Sequence, residues 1–281
     1  MIKYFDAKEQ VEIWHLDQLN RLVNNFEADV SDRVNAGCFK VQQDYMMIVL
    51  HIIRKTILDL REIHCLCVNG YPDGAMAIAR NLYEQFIDLA FFESHQQDVN
   101  WNNYIEDYCL NYELKRLKAL RKEREYYAEK SDRNQVDEQE LQKICAELRQ
   151  CKEQAHAKTG KDYWWTGENR SFGEVRKNIR HHMGQELQGM LSIQEMLYQL
   201  SCASLHSGAS GNFRRLGDDP SQGWLDASPR HEGHAAVLTF AITSFVYIAG
   251  VGCKYLKIDP KPYIPVLNEL MKGYCSKLKN G

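Results

Sequence analysis

No run of this sequence sustains the apolar–polar alternation of a half-buried strand. Nearly every run instead repeats its apolar residues at a period of 3.6, and that period commits the chain to helices. The stretch Asp73–Glu93, DGAMAIARNLYEQFIDLAFFE, is the strongest case. At about 100° per residue, Ala75, Ile78, Ala79, Leu82, Tyr83, Phe86, Ile87, Leu89 and Ala90 fill more than half its circumference, the width of a buried helix. The remaining sector carries Arg80, Glu84 and Asp88 in one i, i+4 row, beside Asn81 and Gln85. Facing solvent, that row is an ordinary surface ion pair worth a few tenths of a kcal/mol. Facing other helices, it is a buried polar network and the best candidate site in the chain, with Glu84 orienting Arg80.

The other elements are read from their caps. One helix covers about Ala7 to Phe26, and a second runs from about Gln42 to Val68, where Asn69–Gly70 is a C-cap signal. Tyr71–Pro72–Asp73 then makes a tight turn with Asp73 as N-cap, so the second and central helices should form an antiparallel hairpin. Asp98 can cap a fourth helix from Val99 to about Lys130, and Asp137 with Glu140 forms a capping box for a fifth to about Lys158. Residues 99–158 are therefore expected as a charged helical hairpin projecting from the bundle. The loop Lys161–Arg170 carries a Trp pair that should fold back onto the helices. Ser171 with Glu174, and Ser192 with Glu195, are further capping boxes, the second opening a helix to His206. Residues 208–230, rich in Gly, Ser, Asp and Pro, read as a long loop of the kind that often carries function. A helix at about Glu232–Tyr255 follows, and Asp259–Pro260 breaks it from a last one reaching about Leu278. The expectation is an all-α chain, a single domain over 1–281 built as a multi-helix bundle of about eight or nine helices.

With 281 residues the chain can bury a sizeable core. Its net charge of −3 leaves no global polyanion-binding signature, so contact with nucleic acid has to come from local patches. The start, MIKYFDAKEQVEIWHLDQ, has no apolar core of a signal peptide, and a cytoplasmic location is expected. Cysteines at nine positions show no CxxC spacing and read as reduced thiols. Ala235–Cys253 is uncharged and long enough to cross a bilayer. Its threonines, serine and glycines, and the lack of a polybasic flank, favour a buried or dimer-interface helix over a membrane anchor.

Chemistry-bearing residues fall in three places. His206 sits at a helix end, where the partial negative charge of the C-terminus favours imidazolium and a proton could be given or taken; the plainer alternative is a capping His. One basic cluster, Lys115, Arg116, Lys118, Arg121, Lys122 and Arg124, lies on the fourth helix. The other, Arg176, Lys177, Arg180, His181 and His182, lies on the short helix after the Trp loop. Such clusters can neutralise phosphates, and Trp164 and Trp165 could stack on unpaired bases, although a solvated face explains the first cluster as well. Only Glu153–His156 has the Glu-x-x-His spacing of bundle metal sites, so neither metal nor cofactor is expected. No Walker loop, dinucleotide glycine fingerprint or nucleophile elbow is present.

Three short motifs occur together: Ala79–Arg80–Asn81–Leu82–Tyr83–Glu84, Trp165–Thr166–Gly167, and Leu200 to His206. The combination resembles a widespread bacterial family of all-helical proteins of unknown function, over roughly Gln42 to Gly211. That resemblance implies that Arg80, Glu84 and His206 belong to one shared feature of the bundle. The short basic helix is also similar to the HEPN nucleases, helical bundles whose Arg-x4–6-His motif cleaves RNA without metal. Arg176 with His181 fits that spacing, as does Arg176 with His182 and, elsewhere, Arg149 with His156; Lys177 departs from the small polar residue usual after the Arg. The resulting expectation is a metal-independent endoribonuclease of the stress or phage-defence toxin kind, homodimeric, with RNA as substrate and a protein partner encoded nearby. In it His206 or His181 moves the proton and Arg80 or Arg176 offsets charge on the phosphorane. The alternative is a non-catalytic interaction or ligand-sensing protein in which Arg80, Glu84 and His206 are structural or hold a small ligand.

Overall fold

The computed structural model describes residues 7–37, 44–130, 135–155, 161–168, 170–182 and 234–266, with positions 191, 194, 195, 197–199 and 268. Its α-helices in chain order are α1 (Ala7–Asn35), α2 (Asp44–Val68), α3 (Pro72–Ser94), α4 (Trp101–Lys130), α5 (Gln135–Ala155), α6 (Phe172–His182) and α7 (His234–Leu256). A 3-10 turn at Trp164–Thr166 precedes α6, and positions 191–199 are also helical where described. No strand occurs among the described residues, only an isolated bridge between Tyr163 and Arg170. The protein is all-α, a multi-helix bundle. Its contacts divide into two compact units, 1–90 with 183–281 and 91–182, the boundary falling inside α3.

In the first unit the turn between α2 and α3 shows how local sequence sets the hairpin. Gly70, at φ +78°, places its N–H 3.0 Å from the Cys67 carbonyl and that of Tyr71 2.8 Å from Leu66, the paired bonds of a Schellman cap. Helix α3 begins two residues earlier than a cap at Asp73 would give. Pro72 occupies its first position, where the missing N–H costs nothing, so Asp73 lies in the first turn instead of capping it. Helix α1 runs to Asn35 and not to Phe26, because Val30 is still buried and Asp29 accepts the Tyr263 hydroxyl from beyond α7. Burial together with that carboxylate pushes the Tyr263 phenol well above its ordinary value.

Aromatic side chains hold this unit together. Phe26 meets Phe245 edge-on at 5.6 Å, Tyr83 tilts against Phe240 at 5.4 Å, and Phe86 meets Tyr247 edge-on at 4.7 Å, joining α1 and α3 to α7. Helix α7 is long and apolar enough to cross a membrane, and most of that span is buried inside the protein. Between α2 and α3 lies a polar cluster whose inner members are closed to solvent. Thr56 donates to Gln85 Oε1 at 2.9 Å, Gln85 Nε2 donates to Asp59 Oδ2 at 2.8 Å, and Lys55 pairs with the other Asp59 oxygen. Asp59 and Thr56 are fully buried, so these bonds meet the desolvation cost and pin the register of α3 on α2.

His64 on α2 gives this unit a pH dependence. Burial holds its imidazole below the ordinary 6.5, with the Asp17 charge opposing, and Nε2 has no partner among the described residues. The unfolded chain therefore takes up the proton first, so stability is unaffected above 6.5 and is lost as pH falls below it. Urea titrations at pH 7.5 and 5.5 should give a smaller loss for His64→Gln than for the natural protein. Equal losses would mean that His64 titrates alike in both states.

In the second unit α4 packs on α5 through Leu114, Leu117, Ile144 and Leu148, forming the expected charged hairpin. Helix α4 begins at Trp101, two residues later than expected, so Asp98 lies before the N-cap position; its carboxylate accepts the Asn100 N–H at 2.9 Å and the Tyr104 hydroxyl at 3.0 Å in the turn that leads in. These bonds hold its carboxyl below the usual range. The Trp loop folds back as expected. Trp165 stacks on Phe92 at 5.2 Å and meets Phe91 at 5.2 Å and Tyr108 at 4.8 Å edge-on. Gly167, at φ +78°, lets the loop turn under Tyr104; a β-carbon there would fall 2.8 Å from Tyr104 Cε1. The Glu limb of the capping box that opens α6 is formed: the Ser171 N–H and hydroxyl both donate to Glu174 Oε2 with Lys161 beside it, which lowers the Glu174 carboxyl to about 2.

Candidate functional site

The polar row of α3 is neither fully buried nor a plain surface pair. Arg80 Nε donates to Glu84 Oε1 at 2.9 Å, and the two side chains are 26% and 36% exposed. Position in the helix explains the pairing, since residues four apart lie on one face with the carboxylate within reach of the guanidinium. A third residue completes the arrangement. The Arg80 guanidinium lies over the Tyr198 ring, 5.1 Å from its centroid, and the Tyr198 hydroxyl is 3.4 Å from Glu84 Oε1. Tyr198 in turn tilts against Tyr83 at 5.3 Å. A bond to Nε on one edge and a ring under one face fix the guanidinium plane. A planar, fixed fork of donors is what bidentate recognition of phosphate or carboxylate requires.

Tyr198 stays where it is because its helical stretch is anchored one turn earlier. Buried Gln194 donates from Nε2 to Ser244 Oγ on α7 at 3.0 Å, and that hydroxyl donates to the Phe240 carbonyl at 3.1 Å. Leu191 and Leu197 are buried on the same stretch. His206, expected beside Arg80 and Glu84, lies outside the described residues, as does the 208–230 loop. The described part of the segment leading to His206 does pack against Arg80 and Glu84, through Tyr198.

On α6 the structure does not bring Arg176 and His181 together as a pair. Five residues on, His181 lies about 140° round the helix from Arg176. The Arg176 guanidinium sits over the Phe172 ring at 5.1 Å, whereas His181 and Lys177 are exposed and Arg180 is half-buried. His182 closes the helix, and its side chain is not among those described. The buried face of α6 is Val175 and Ile179, which leaves the cations on its rim.

Two expectations for RNA contact change. Trp164 and Trp165 are 6% and 2% exposed, so neither indole offers a face for stacking on a base; aromatic packing consumes that of Trp165. On α4, Arg116 pairs with Glu113 at 2.7 Å, Arg121 with Glu125 at 3.4 Å and Arg124 with Glu140 at 3.1 Å. Lys115, Lys118 and Lys122 are exposed, form no ion pair among the described residues, and fall in one i, i+3, i+7 stripe. No cluster of potential metal ligands occurs among the described residues.

Spacing alone did not reveal Tyr198 or buried Asp59. A signal for Asp59 existed, since it continues the i, i+4, i+7 line of Ile52, Thr56 and Ile63 on the core face of α2. For Tyr198 no local signal exists, because its partners are on another helix.

Fold and site together define an all-helical bundle protein with a part-exposed arginine held on a largely buried helix. The chain belongs to a family of unknown function, DUF5677, which matches residues 46–223 and so takes in α2, α3, the Trp loop and the Tyr198 segment. Comparison with curated proteins and with solved structures found no match.

Proposed function

We propose that this chain is a HEPN-like, metal-independent ribonuclease of the stress or phage-defence kind, with its centre at Arg80 on α3 and not at Arg176 on α6. The observation that carries this reading is the fixed, part-exposed guanidinium of Arg80, bonded to Glu84 and seated on Tyr198. In such a centre the RNA 2′-oxygen attacks the adjacent phosphorus as its proton leaves to a base, and the bond from phosphorus to the 5′-oxygen breaks as that oxygen is protonated. His206 serves as the proton-transfer group, Arg80 balances the charge on the phosphorane, and Glu84 orients Arg80 without exchanging a proton. The products are a 2′,3′-cyclic phosphate and a 5′-hydroxyl. Since the nucleophile belongs to the RNA, the reaction does not depend on an activated water.

The lysine stripe on α4 supplies the measurement. If Lys115, Lys118 and Lys122 each neutralise one phosphate of a single strand, log affinity should fall with log salt at a slope of about −2. Replacing all three by Gln should remove nearly all of that slope, and product ends should be cyclic in the presence of chelator. Salt-independent binding, or 3′-hydroxyl ends, would remove the reading.

A second reading is favoured by the buried indoles and the paired arginines of α4, which leave little surface for a long RNA. In it the Arg80 fork binds a small carboxylate or phosphate ligand and the protein is a non-catalytic sensor. Binding of a mononucleotide with no cleavage of any RNA would favour it.

A further inference from the structure

We infer that Tyr198 is the positioning residue for Arg80, acting through its ring more than through its hydroxyl. This rests on the reading of α3 as the functional centre, and it adds the second helical segment to that centre. The geometry separates the two halves of the side chain. At 3.4 Å the contact from hydroxyl to Glu84 is at the outer edge of hydrogen bonding, where little energy remains. The ring lies 5.1 Å beneath the guanidinium carbon, within the range in which a cation is held by an aromatic face. Glu84 restrains Arg80 at one edge, and a part-exposed i, i+4 pair is by itself a weak restraint. The ring adds a restraint from one face, and it is itself held by its neighbours. It abuts Tyr83, which is fully buried, and its backbone is pinned one turn earlier by Gln194 on Ser244.

Two variants test this in the full chain, Tyr198→Phe, which keeps the ring, and Tyr198→Leu, which keeps the bulk and removes the aromatic face. The first readout needs no substrate: the Arg80 Nε–Hε resonance of arginine-labelled protein. It should stay sharp in Tyr198→Phe and broaden or collapse towards the free-arginine position in Tyr198→Leu, with the amide spectrum otherwise preserved. The second readout is cleavage of a labelled RNA in chelator. Tyr198→Phe should stay within about threefold of the natural rate, and Tyr198→Leu should lose tenfold or more in kcat, with KM changing less, the pattern of an interaction realised mainly in the transition state. An Arg80 resonance unchanged in Tyr198→Leu overturns the inference, and so does a Tyr198→Phe defect as large as that of Tyr198→Leu. If the resonance collapses as expected while the natural protein cleaves no RNA, the positioning role stands and the ribonuclease reading fails.

Discussion

Trp165→Ala should destabilise the unit formed by residues 91–182 by about 3–5 kcal/mol, the range for deleting a large buried aromatic. The indole is 2% exposed and is touched by Phe91, Phe92, Tyr108 and Tyr163, which belong to three different stretches of chain. Its removal opens a cavity at the point where the loop, the end of α3 and α4 meet, and the rings around it cannot collapse without moving the helices. Gly167→Ala should act on the same junction from the backbone. A side chain at φ +78° is strained and its β-carbon would press on Tyr104, together costing about 1–3 kcal/mol. Hydrogen exchange read on α4 and α6 amides would measure both effects. A loss below about 1 kcal/mol for Trp165→Ala would mean that the loop does not close over α3 and α4 as described.

The second large effect is on chemistry. Arg80→Ala should lower RNA cleavage by about 10²–10³-fold, the size seen when a donor aimed at developing negative charge is removed. Its effect on stability should be small, about 1 kcal/mol, because the side chain is part-exposed and its ion pair is partly screened. Arg80→Lys should recover little of the rate, since an ammonium keeps the charge but not the planar fork that Glu84 and Tyr198 hold. The ratio of the two effects carries the meaning. Loss of stability in proportion to loss of rate would mark Arg80 as a packing device that fixes how the helices meet.

Much of the fold was legible because it is written in short-range signals. Asn69–Gly70 and Ser171 with Glu174 specify their caps within a few residues, and the structure forms the first cap and the Glu limb of the second. Helix α1 was read too short because its last two turns, EADVSDRVN, offer one buried apolar residue, and what holds them is Asp29 to Tyr263, a partner far along the chain. The site divides in the same way. Arg80 and Glu84 were legible as an i, i+4 pair on a helix too apolar to be peripheral, and the structure pairs them. The ring beneath Arg80 was not, because the register of the 191–199 stretch against α3 is set by Gln194 and Ser244 across two helices. For the arginines of the α4 cluster the cations were legible and their partners were not. A row of arginines reads as phosphate-seeking until the carboxylates on the same hairpin are placed beside them, and Glu140 reaches Arg124 only because α5 folds back on α4.

The most direct test of the central claim is the rate–pH profile of RNA cleavage in excess chelator, compared for the natural protein, His206→Ala and His181→Ala. With its centre on α3, the natural protein should cleave without metal, with a rate that follows the ionisation of a histidine near neutrality. His206→Ala should lose orders of magnitude and that pH limb together, while His181→Ala keeps both. Full activity in His206→Ala, loss confined to His181→Ala, or no cleavage by the natural protein at any pH would contradict the account.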